Sequence, residues 1–245
     1  MNKNIKKIIG AAILFVIWSL AALVIDDEII LPYFHDVVKR IFLLAKEGML
    51  FKAVFITTYR VLAGIFLSLL MAAGLGYISY KFHLEDYFSP LVTFMRALPV
   101  ISMVLIVLFF ASKNSLAIIV IFFVSFPIIY ENVLNGLKSI PKEKLEMAGI
   151  FDLKGGKIFK YIELPAIIKS ALFALTISFG LAFKAGATSE VIAGAAGGLG
   201  DLLYMAKISF EMPDLIAITF VIIACSYIFE MLTKYLYKRQ VEKYD

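Results

Sequence analysis

The chain has 245 residues, of which 62% are hydrophobic and only 18% charged, and its mean hydropathy is +0.91. A water-soluble fold of this length has too little interior to hide so much apolar surface, so the composition excludes an ordinary soluble domain. The net charge of +5 does not indicate a nucleic-acid partner, because the Lys and Arg residues lie between apolar runs and fit a membrane surface instead.

Six apolar segments are long enough to cross a bilayer, because about 20 helical residues span roughly 30 Å of hydrocarbon. Backbone groups in lipid must bond within their own segment, which favours helices over isolated strands. We therefore predict an all-α membrane protein with six transmembrane helices: Ile8–Ile25, Phe55–Tyr80, Phe88–Ala111, Leu116–Leu134, Ser170–Thr188 and Leu215–Tyr235. The first segment follows three lysines, as a signal peptide does, but its length and poor cleavage site at Ser19-Leu20-Ala21 favour a retained anchor.

Most Lys and Arg residues between the segments fall on one side of the membrane if the N-terminus is cytoplasmic. The positive-inside rule then places both termini in the cytoplasm. On the outer side, Asp36–Met49 alternates apolar and charged residues at helical spacing, which predicts a short amphipathic helix along the outer surface.

The longest cytoplasmic connection, from Gly136 to Lys169, has the pattern of an ordered loop. Pro141 suits the first turn of a helix, because its missing N–H needs no partner there. Leu145, Ala148 and Gly149 share one face of that helix, and two glycines then precede a second segment that runs to Pro165.

Polar and small residues recur at i+4 spacing inside two of the predicted spans. In the second span, Arg60 begins a series that continues through Gly64, Ser68, Ala72 and Gly76; we interpret it as a helix-packing seam, with Arg60 anchored at the surface. In the fifth span Thr176, Gly180, Lys184 and Thr188 form a stripe. Either the stripe lines a translocation path and Lys184 meets an anion, or Lys184 snorkels to the interface or pairs with Glu190.

Pro99 in the third span is expected to kink its helix and to free a backbone carbonyl. Arg96 either bonds such carbonyls or faces a central cavity, while Glu131 in the fourth span is interpreted as an interfacial residue.

Glu146-Met147-Ala148, Asp152, Ile162, Leu164 and Pro165 resemble the EAA motif of ABC-importer permeases, E-A-A-x3-G-x9-I-x-L-P. Two positions depart from that pattern, because Met147 replaces Ala and Asp152 replaces Gly. Asp tolerates a left-handed turn better than most residues, so the turn can survive. Leu31-Pro32, Tyr59–Gly64, Arg96–Pro99, and Glu190 with Gly197–Gly200 resemble the nitrate/sulfonate/taurine branch of these permeases.

The resemblance implies a type I importer permease fold, with residues 1–245 as one transmembrane domain, core helices within 53–240 and an ATPase-coupling loop at 136–169. It also implies a multi-pass subunit of the bacterial cytoplasmic membrane. The implied partners are ABC ATPase subunits, an extracytoplasmic solute-binding protein and a second permease subunit, in a homodimer or in a heterodimer with a paralogue. The residues assigned to coupling are Leu145, Glu146, Met147, Ala148, Gly149, Asp152, Leu164 and Pro165. Those assigned to the path are Arg96, Thr176, Gly180, Lys184, Thr188 and Glu190.

The sequence shows no enzyme site. Gly155-Gly156-Lys157 lacks the spacing and the Ser/Thr of a nucleotide-binding loop, and neither a catalytic pair nor a His/Cys metal set stands out. ATP and Mg²⁺ are therefore expected on the partner ATPase. The resemblance favours a small anion such as a sulfonate or nitrate as the solute, with neutral nutrients as a second candidate class. Three rival functions for an apolar helical chain are an ion-gradient-driven secondary transporter, an intramembrane enzyme and a membrane scaffold.

Overall fold

The computed structural model describes residues 3–151 and 153–244, and every regular element in that part of the chain is helical. In chain order these are α1 (Lys3–Ile25), α2 (Phe34–Lys46), α3 (Met49–Phe82), α4 (Glu85–Ala97), α5 (Val100–Leu108), α6 (Lys113–Lys138), α7 (Lys142–Ile150), α8 (Gly155–Ile158), a π-helical turn (Phe159–Glu163), α9 (Leu164–Ala193), α10 (Leu199–Ile208) and α11 (Met212–Tyr244).

The prediction of an all-helical membrane protein is confirmed, with four or five apolar spans among the described residues. Met49–Phe82, Lys113–Lys138, Gly155–Ala193 and Met212–Glu242 are each long and apolar enough to cross a bilayer, and α4 with α5 makes a bent fifth candidate. The first predicted segment lies in the helix α1, and Ala12–Ile25 within it is an apolar helix that is not among these candidate spans. The count of six therefore stays a prediction.

The third predicted span, Phe88–Ala111, is broken rather than merely kinked. α4 ends at Ala97 and α5 begins at Val100, and the two axes meet at 96°. Leu98 is extended, with ψ of 124°, as the residue before a proline tends to be. Pro99 has no N–H to continue the α4 hydrogen-bond series, so the chain turns sharply at this point.

The core lies where α3, α6 and α9 pack together. Gly64, Ser68, Ala72 and Gly76 of α3 are all buried, which confirms the predicted packing seam. A Cβ atom at Gly64 would lie 2.7 Å from the Cβ of Ile121 on α6. The small residues therefore allow two helix backbones to approach closely, as in other membrane bundles.

The amphipathic helix predicted at Asp36–Met49 is present as α2, with Val37 and Leu44 buried. Arg40 of this helix binds both carboxylate oxygens of Asp214, in the first turn of α11. The hydrogen bonds to Asp214 raise the pKa of Arg40 above its usual value. On α1, the indole N–H of Trp18 donates to Pro32 O at 3.0 Å, and its ring stacks on Phe220. α1 and α2 are thus attached to α11.

The helix of the fifth predicted span begins at Gly155, well before Ser170, because α8, the π-helical turn and α9 are continuous. Within the turn, Leu164 N–H donates to Phe159 O, five residues back. Pro165 follows at once, and its ring occupies the place of a backbone donor. The wider π turn lets the continuous helix carry a proline in its interior, ten residues after Gly155.

The close approach of α3 and α6 predicts that Gly64→Leu lowers stability by about 1–3 kcal/mol, because the added side chain must displace Ile121. Gly74→Leu on the same helix is the matched control, since no heavy atom lies within 4 Å of its added Cβ. Thermal unfolding in mild detergent measures both variants. Equal melting temperatures would contradict the proposed contact.

Candidate functional site

A short helix, α7, stands at one end of the bundle and begins directly after Pro141, as the sequence predicts. Ala148 is fully buried and Leu145 half-buried, whereas Gly149, predicted to share their face, is exposed. Leu153 N–H donates to Ala148 O at 2.9 Å and closes the turn that follows the helix. Asp152 lies outside the described residues.

The other side of α7 presents apolar side chains to the surroundings. Met147 is 53% exposed, Ile150 83% and Phe151 70%, and Glu146 is exposed beside them. Contiguous exposed apolar groups on a short helix are a common feature of protein-binding surfaces. Met147 is among the residues that the motif predicts for coupling, whereas Ile150 and Phe151 are not. A signal for them exists in the sequence, because two large apolar residues, Ile150 and Phe151, follow Gly149 directly in a loop that is otherwise mostly polar.

The segment after α7 is attached to α3. Glu163 is buried and accepts hydrogen bonds from the Tyr77 hydroxyl at 3.1 Å and from the Lys81 ammonium at 3.4 Å. The ring of Phe159 meets that of Tyr77 edge to face, with centroids 5.1 Å apart. Leu164 and Pro165 are half-buried where α9 starts. These contacts fix the loop end of the continuous helix.

One side of α9 is largely exposed in the described part of the chain. Phe173, Ile177, Leu181 and Lys184 are exposed along it at spacings of three and four residues, and we call this set the open face of α9. Within the described residues Lys184 makes no hydrogen bond or ion pair, so the predicted alternative of a Lys184–Glu190 pair is not observed. The open face therefore carries an uncompensated cation.

The remaining stripe residues have different environments. Thr176 is buried and donates its hydroxyl to Phe173 O at 2.7 Å, one turn back. Gly180 is half-buried, and a Cβ there would lie 3.9 Å from Ser226 Oγ on α11. Thr188 is half-buried next to the open face. The structure thus places Lys184 and Thr188 towards the open side and turns Thr176 towards the packed side.

Arg96, at the end of α4, is exposed and forms an ion pair with Glu131 of α6. The sequence patterns give no link between these two residues, because they are 35 positions apart. Their pairing means that the charge of Arg96 is already compensated in this chain. In the described part of the chain, no group of three His, Cys, Asp or Glu residues could hold a metal ion.

A buried polar cluster occupies the opposite end of the bundle from α7. Glu190 is 0% exposed and accepts hydrogen bonds from Arg60 Nη1 at 2.7 Å and from Thr57 Oγ1 at 2.8 Å. Arg60 Nη2 also donates to Asn114 Oδ1 at 3.2 Å. We call Thr57, Arg60, Asn114 and Glu190 the Glu190 network. Its two opposite charges are both bonded, which is the condition under which buried ions are tolerated.

The Gly/Ala-rich segment after α9 is folded onto this network. Gly200 N–H donates to Glu190 Oε2 at 2.9 Å, Leu199 N–H donates to Thr57 Oγ1 at 2.8 Å, and Arg60 Nη2 reaches Ala196 O at 3.4 Å. A Cβ at Gly198 would lie 2.6 Å from Glu190 Cδ, so the turn needs glycine there to approach the carboxylate. For Ala193–Gly200 the family resemblance suggests an outer gate or a re-entrant turn, and a plain flexible loop is the alternative; in the structure the segment is a folded turn, which we call the glycine turn.

The interpretation of Arg60 as a surface anchor is wrong, because Arg60 is only 5% exposed and pairs with Glu190. All residues of the Arg60 series are buried in the packing seam of α3. Arg60 itself is buried there because it forms an ion pair with Glu190. Glu190, predicted to belong to the path, is enclosed by this pair in the single chain. The partners are 130 positions apart, so neither helix pattern could reveal the contact.

Residues 64–242 match the family model described as the binding-protein-dependent transport system inner membrane component. The chain belongs to this family. It is an ABC-importer permease component of the sulfonate/nitrate branch, and its relatives are transport permeases rather than enzymes. Permeases of this family are inner-membrane proteins that work with an ABC ATPase and a binding protein.

Curated relatives support this assignment. An ABC transporter permease protein of Methanocaldococcus jannaschii is 27% identical over 223 residues, covering 88% of this chain and 83% of its own. The aliphatic sulfonates transport permease protein SsuC of Bacillus subtilis is 24% identical, covering 82% and 74%. The riboflavin transport system permease protein RibX of Chloroflexus aurantiacus is 28% identical but covers 53% and 48%.

The fold itself matches solved structures. The MetNI methionine ABC transporter in an inward-facing conformation aligns with a TM-score of 0.68 at 18% identity, covering 79% of this chain and 96% of that one. At this identity the likeness concerns the fold, and it shows that the described helices have the arrangement of an importer permease.

The Glu190 network predicts that Glu190→Gln and Arg60→Gln each destabilise the protein by about 3–5 kcal/mol, because each leaves one buried charge unpaired. The double variant should lose less than the sum of the two. Thermal unfolding of all three variants measures this coupling. Lys234→Gln and Glu230→Gln, which separate a more exposed ion pair on α11, are the controls and should change little. Additive losses at Arg60 and Glu190 would contradict the pairing.

Proposed function

We propose that this chain forms, with a second copy of itself, the translocation path of an ATP-driven importer for a small anionic solute. A solute-binding protein delivers the solute, and a separate ATPase that binds ATP and Mg²⁺ supplies the energy. The observation that carries the proposal is the exposed apolar surface of α7, at Met147, Ile150 and Phe151. It lies within the loop that resembles the EAA motif.

This surface suits docking to a soluble ATPase for two reasons. First, α7 is fixed from behind, because Ala148 is buried and the segment that follows is attached through Glu163 to α3. Second, Met147, Ile150 and Phe151, which we call the apolar tip of α7, lie on a loop that the positive-inside rule assigns to the cytoplasm. Leu145, Glu146, Gly149, Asp152, Leu164 and Pro165 complete the proposed coupling loop at 136–169, within one permease domain whose core helices lie in 53–240.

The proposed topology has six transmembrane helices with both termini in the cytoplasm. α1 is assigned as the first span, because its exposed apolar side chains, such as Leu14 and Val24, suit contact with lipid. The bent pair α4 and α5 is assigned as the third. This arrangement puts α7 and the Lys-rich end of α11 inside, and α2 and the glycine turn outside.

The proposed path runs along the open face of α9, which a second copy would enclose. Lys184 and Thr188, with Gly180, line its outer half, and Arg96 lies towards the inner half. Thr176 and Glu190 support the path from behind rather than contacting the solute. An anion is the preferred solute, because Lys184 offers an uncompensated cation in a setting where charge is costly. The relatives named for aliphatic sulfonates and for riboflavin allow both a charged and an uncharged solute.

An ion-gradient-driven transporter is the second candidate function. It would leave the exposed apolar side of α7 without a role. An isolated permease of that kind should transport without any ATPase.

Replacing the apolar tip should separate the permease from its ATPase. Ile150→Asp and Phe151→Asp are expected to reduce the amount of co-purifying ATPase by more than about tenfold, because they place charge in an apolar contact. Affinity purification in mild detergent, with mass spectrometry and an ATPase assay, measures the effect. Phe210→Asp is the matched control, as Phe210 is 77% exposed but lies beyond α10, at the other end of the bundle.

The outcomes of that experiment are distinct. An ATPase that is retained by the control and lost from the tip variants supports the proposal. A stable chain that binds no ATPase and still transports under an ion gradient would favour the secondary transporter.

The proposed orientation predicts which positions are reached from outside the cell. In a Cys225→Ser background, His35→Cys should react with a membrane-impermeant maleimide on intact cells, because His35 is exposed on α2. Lys157→Cys, exposed after α7, should react only after permeabilisation. The reverse pattern would invert the topology.

A further inference from the structure

The π-helical turn at Phe159–Glu163 is held at both of its ends by one helix, α3. At its first residue, the ring of Phe159 meets the ring of Tyr77 edge to face. At its last residue, Glu163 accepts hydrogen bonds from the hydroxyl of the same Tyr77 and from the ammonium of Lys81. Single π turns within α-helices are often found at functional sites. This turn joins the segment after α7 to α3.

Glu163 differs from the other charged residues of the α7 loop because its side chain is buried. It is 3% exposed, whereas Glu146, Lys157 and Lys160 are exposed. A carboxylate is costly to bury unless its oxygens are bonded, and here Tyr77 binds one oxygen and Lys81 the other. The I-x-L-P part of the motif leaves this position unspecified, so the family resemblance gives Glu163 no role. The burial of Glu163 is thus tied to α3 and not to the motif.

The bonds to α3 give α7 a lateral connection to the helix bundle. A first connection follows the chain, because α8, the π-helical turn and α9 are continuous. The lateral connection leads from Glu163 to α3, which packs against both α6 and α9 in the core. Through it, a change in the position of the α7 loop acts directly on a helix that lies about 80 residues earlier in the chain.

The geometry of this connection matters more than its charge. Lys81 is 48% exposed, so water weakens its attraction to the carboxylate. Tyr77, in contrast, contacts Phe159 with its ring and Glu163 with its hydroxyl. Because one side chain makes both contacts, the two ends of the π turn keep the same position relative to α3.

We propose that Glu163 is a positioning residue for ATPase coupling, and that its hydrogen bonds to Tyr77 and Lys81 carry the movement of α7 to α3. The proposal rests on the function proposed above, because it requires an ATPase that moves α7. While the bonds persist, α3 has to change position together with the loop. Without them, the ATPase still docks on the apolar tip, but the outer half of the path no longer responds to nucleotide.

The test uses the full-length permease with its co-purified ATPase in nanodiscs, in a Cys225→Ser background. Thr188→Cys, in the outer half of the proposed path, reports on the path through its rate of reaction with a water-soluble maleimide. Trapping the ATPase with ATP, Mg²⁺ and vanadate should change this rate by about threefold or more, because nucleotide shifts the population of the two states of the path.

Two sets of variants break the connection from opposite sides. Glu163→Ala removes both acceptor oxygens, and the double variant Tyr77→Phe with Lys81→Met removes both donors without altering the loop. Each should reduce the effect of nucleotide to less than about 1.5-fold while the ATPase still co-purifies. Glu163→Gln keeps a carbonyl acceptor and should retain most of the effect. Tyr80→Phe is the matched control on α3, because in the described chain Glu163 accepts no hydrogen bond from Tyr80.

The outcomes separate a coupling role from a structural one. A purely structural role would lower the melting temperatures of the variants and leave the nucleotide effect intact in the complexes that remain. That result would overturn the proposal, as would loss of the effect in Glu163→Ala but not in the double variant, or loss of the ATPase from both. A wild-type complex that holds its ATPase but shows no nucleotide effect would also overturn it. If the wild-type chain recovers no ATPase, the function proposed above fails and this proposal fails with it.

Discussion

A guanidinium and a carboxylate that are both removed from water hold the α10 end of this molecule together. The Arg60–Glu190 pair can remain ionised there because each group has further hydrogen-bond partners, which offset much of the cost of desolvation. That arrangement imposes constraints on its neighbours. α3 and α9 must lie within side-chain reach of each other, and the chain after α9 must contain glycine where the backbone touches the carboxylate.

The same helices are joined in a related way at their other end. Glu163, just before α9, accepts hydrogen bonds from Tyr77 and Lys81 of α3, as Glu190 does from Thr57 and Arg60. The continuous helix therefore carries one buried acceptor near each end, and α3 supplies donors to both. Between these two attachments, α6 packs against both helices through small residues. Apolar packing fills the middle of the core, and hydrogen bonds set its two ends.

The sequence allowed the long apolar helices, α2 and α7 to be predicted, because each depends on a local pattern: hydropathy, helical spacing of apolar residues, or a proline at a helix start. It did not reveal the pairing of Arg60 with Glu190 or of Arg96 with Glu131, since a single sequence holds no record of which distant residues meet. The sequence also does not predict the angle between α4 and α5 at Pro99. A proline predicts a lost hydrogen bond, whereas the 96° angle depends on how α5 packs against α6 and α9.

The unbroken run from Gly155 to Ala193 has a mechanical consequence. Its 39 residues extend for about 60 Å at 1.5 Å per residue, so it is a rod with the α7 loop at one tip and the glycine turn at the other. A helix of this kind does not shorten. A displacement of its end near α7 therefore moves or tilts the end near the glycine turn as well. Its wider π turn, near the loop tip, is the place where such a rod would flex first.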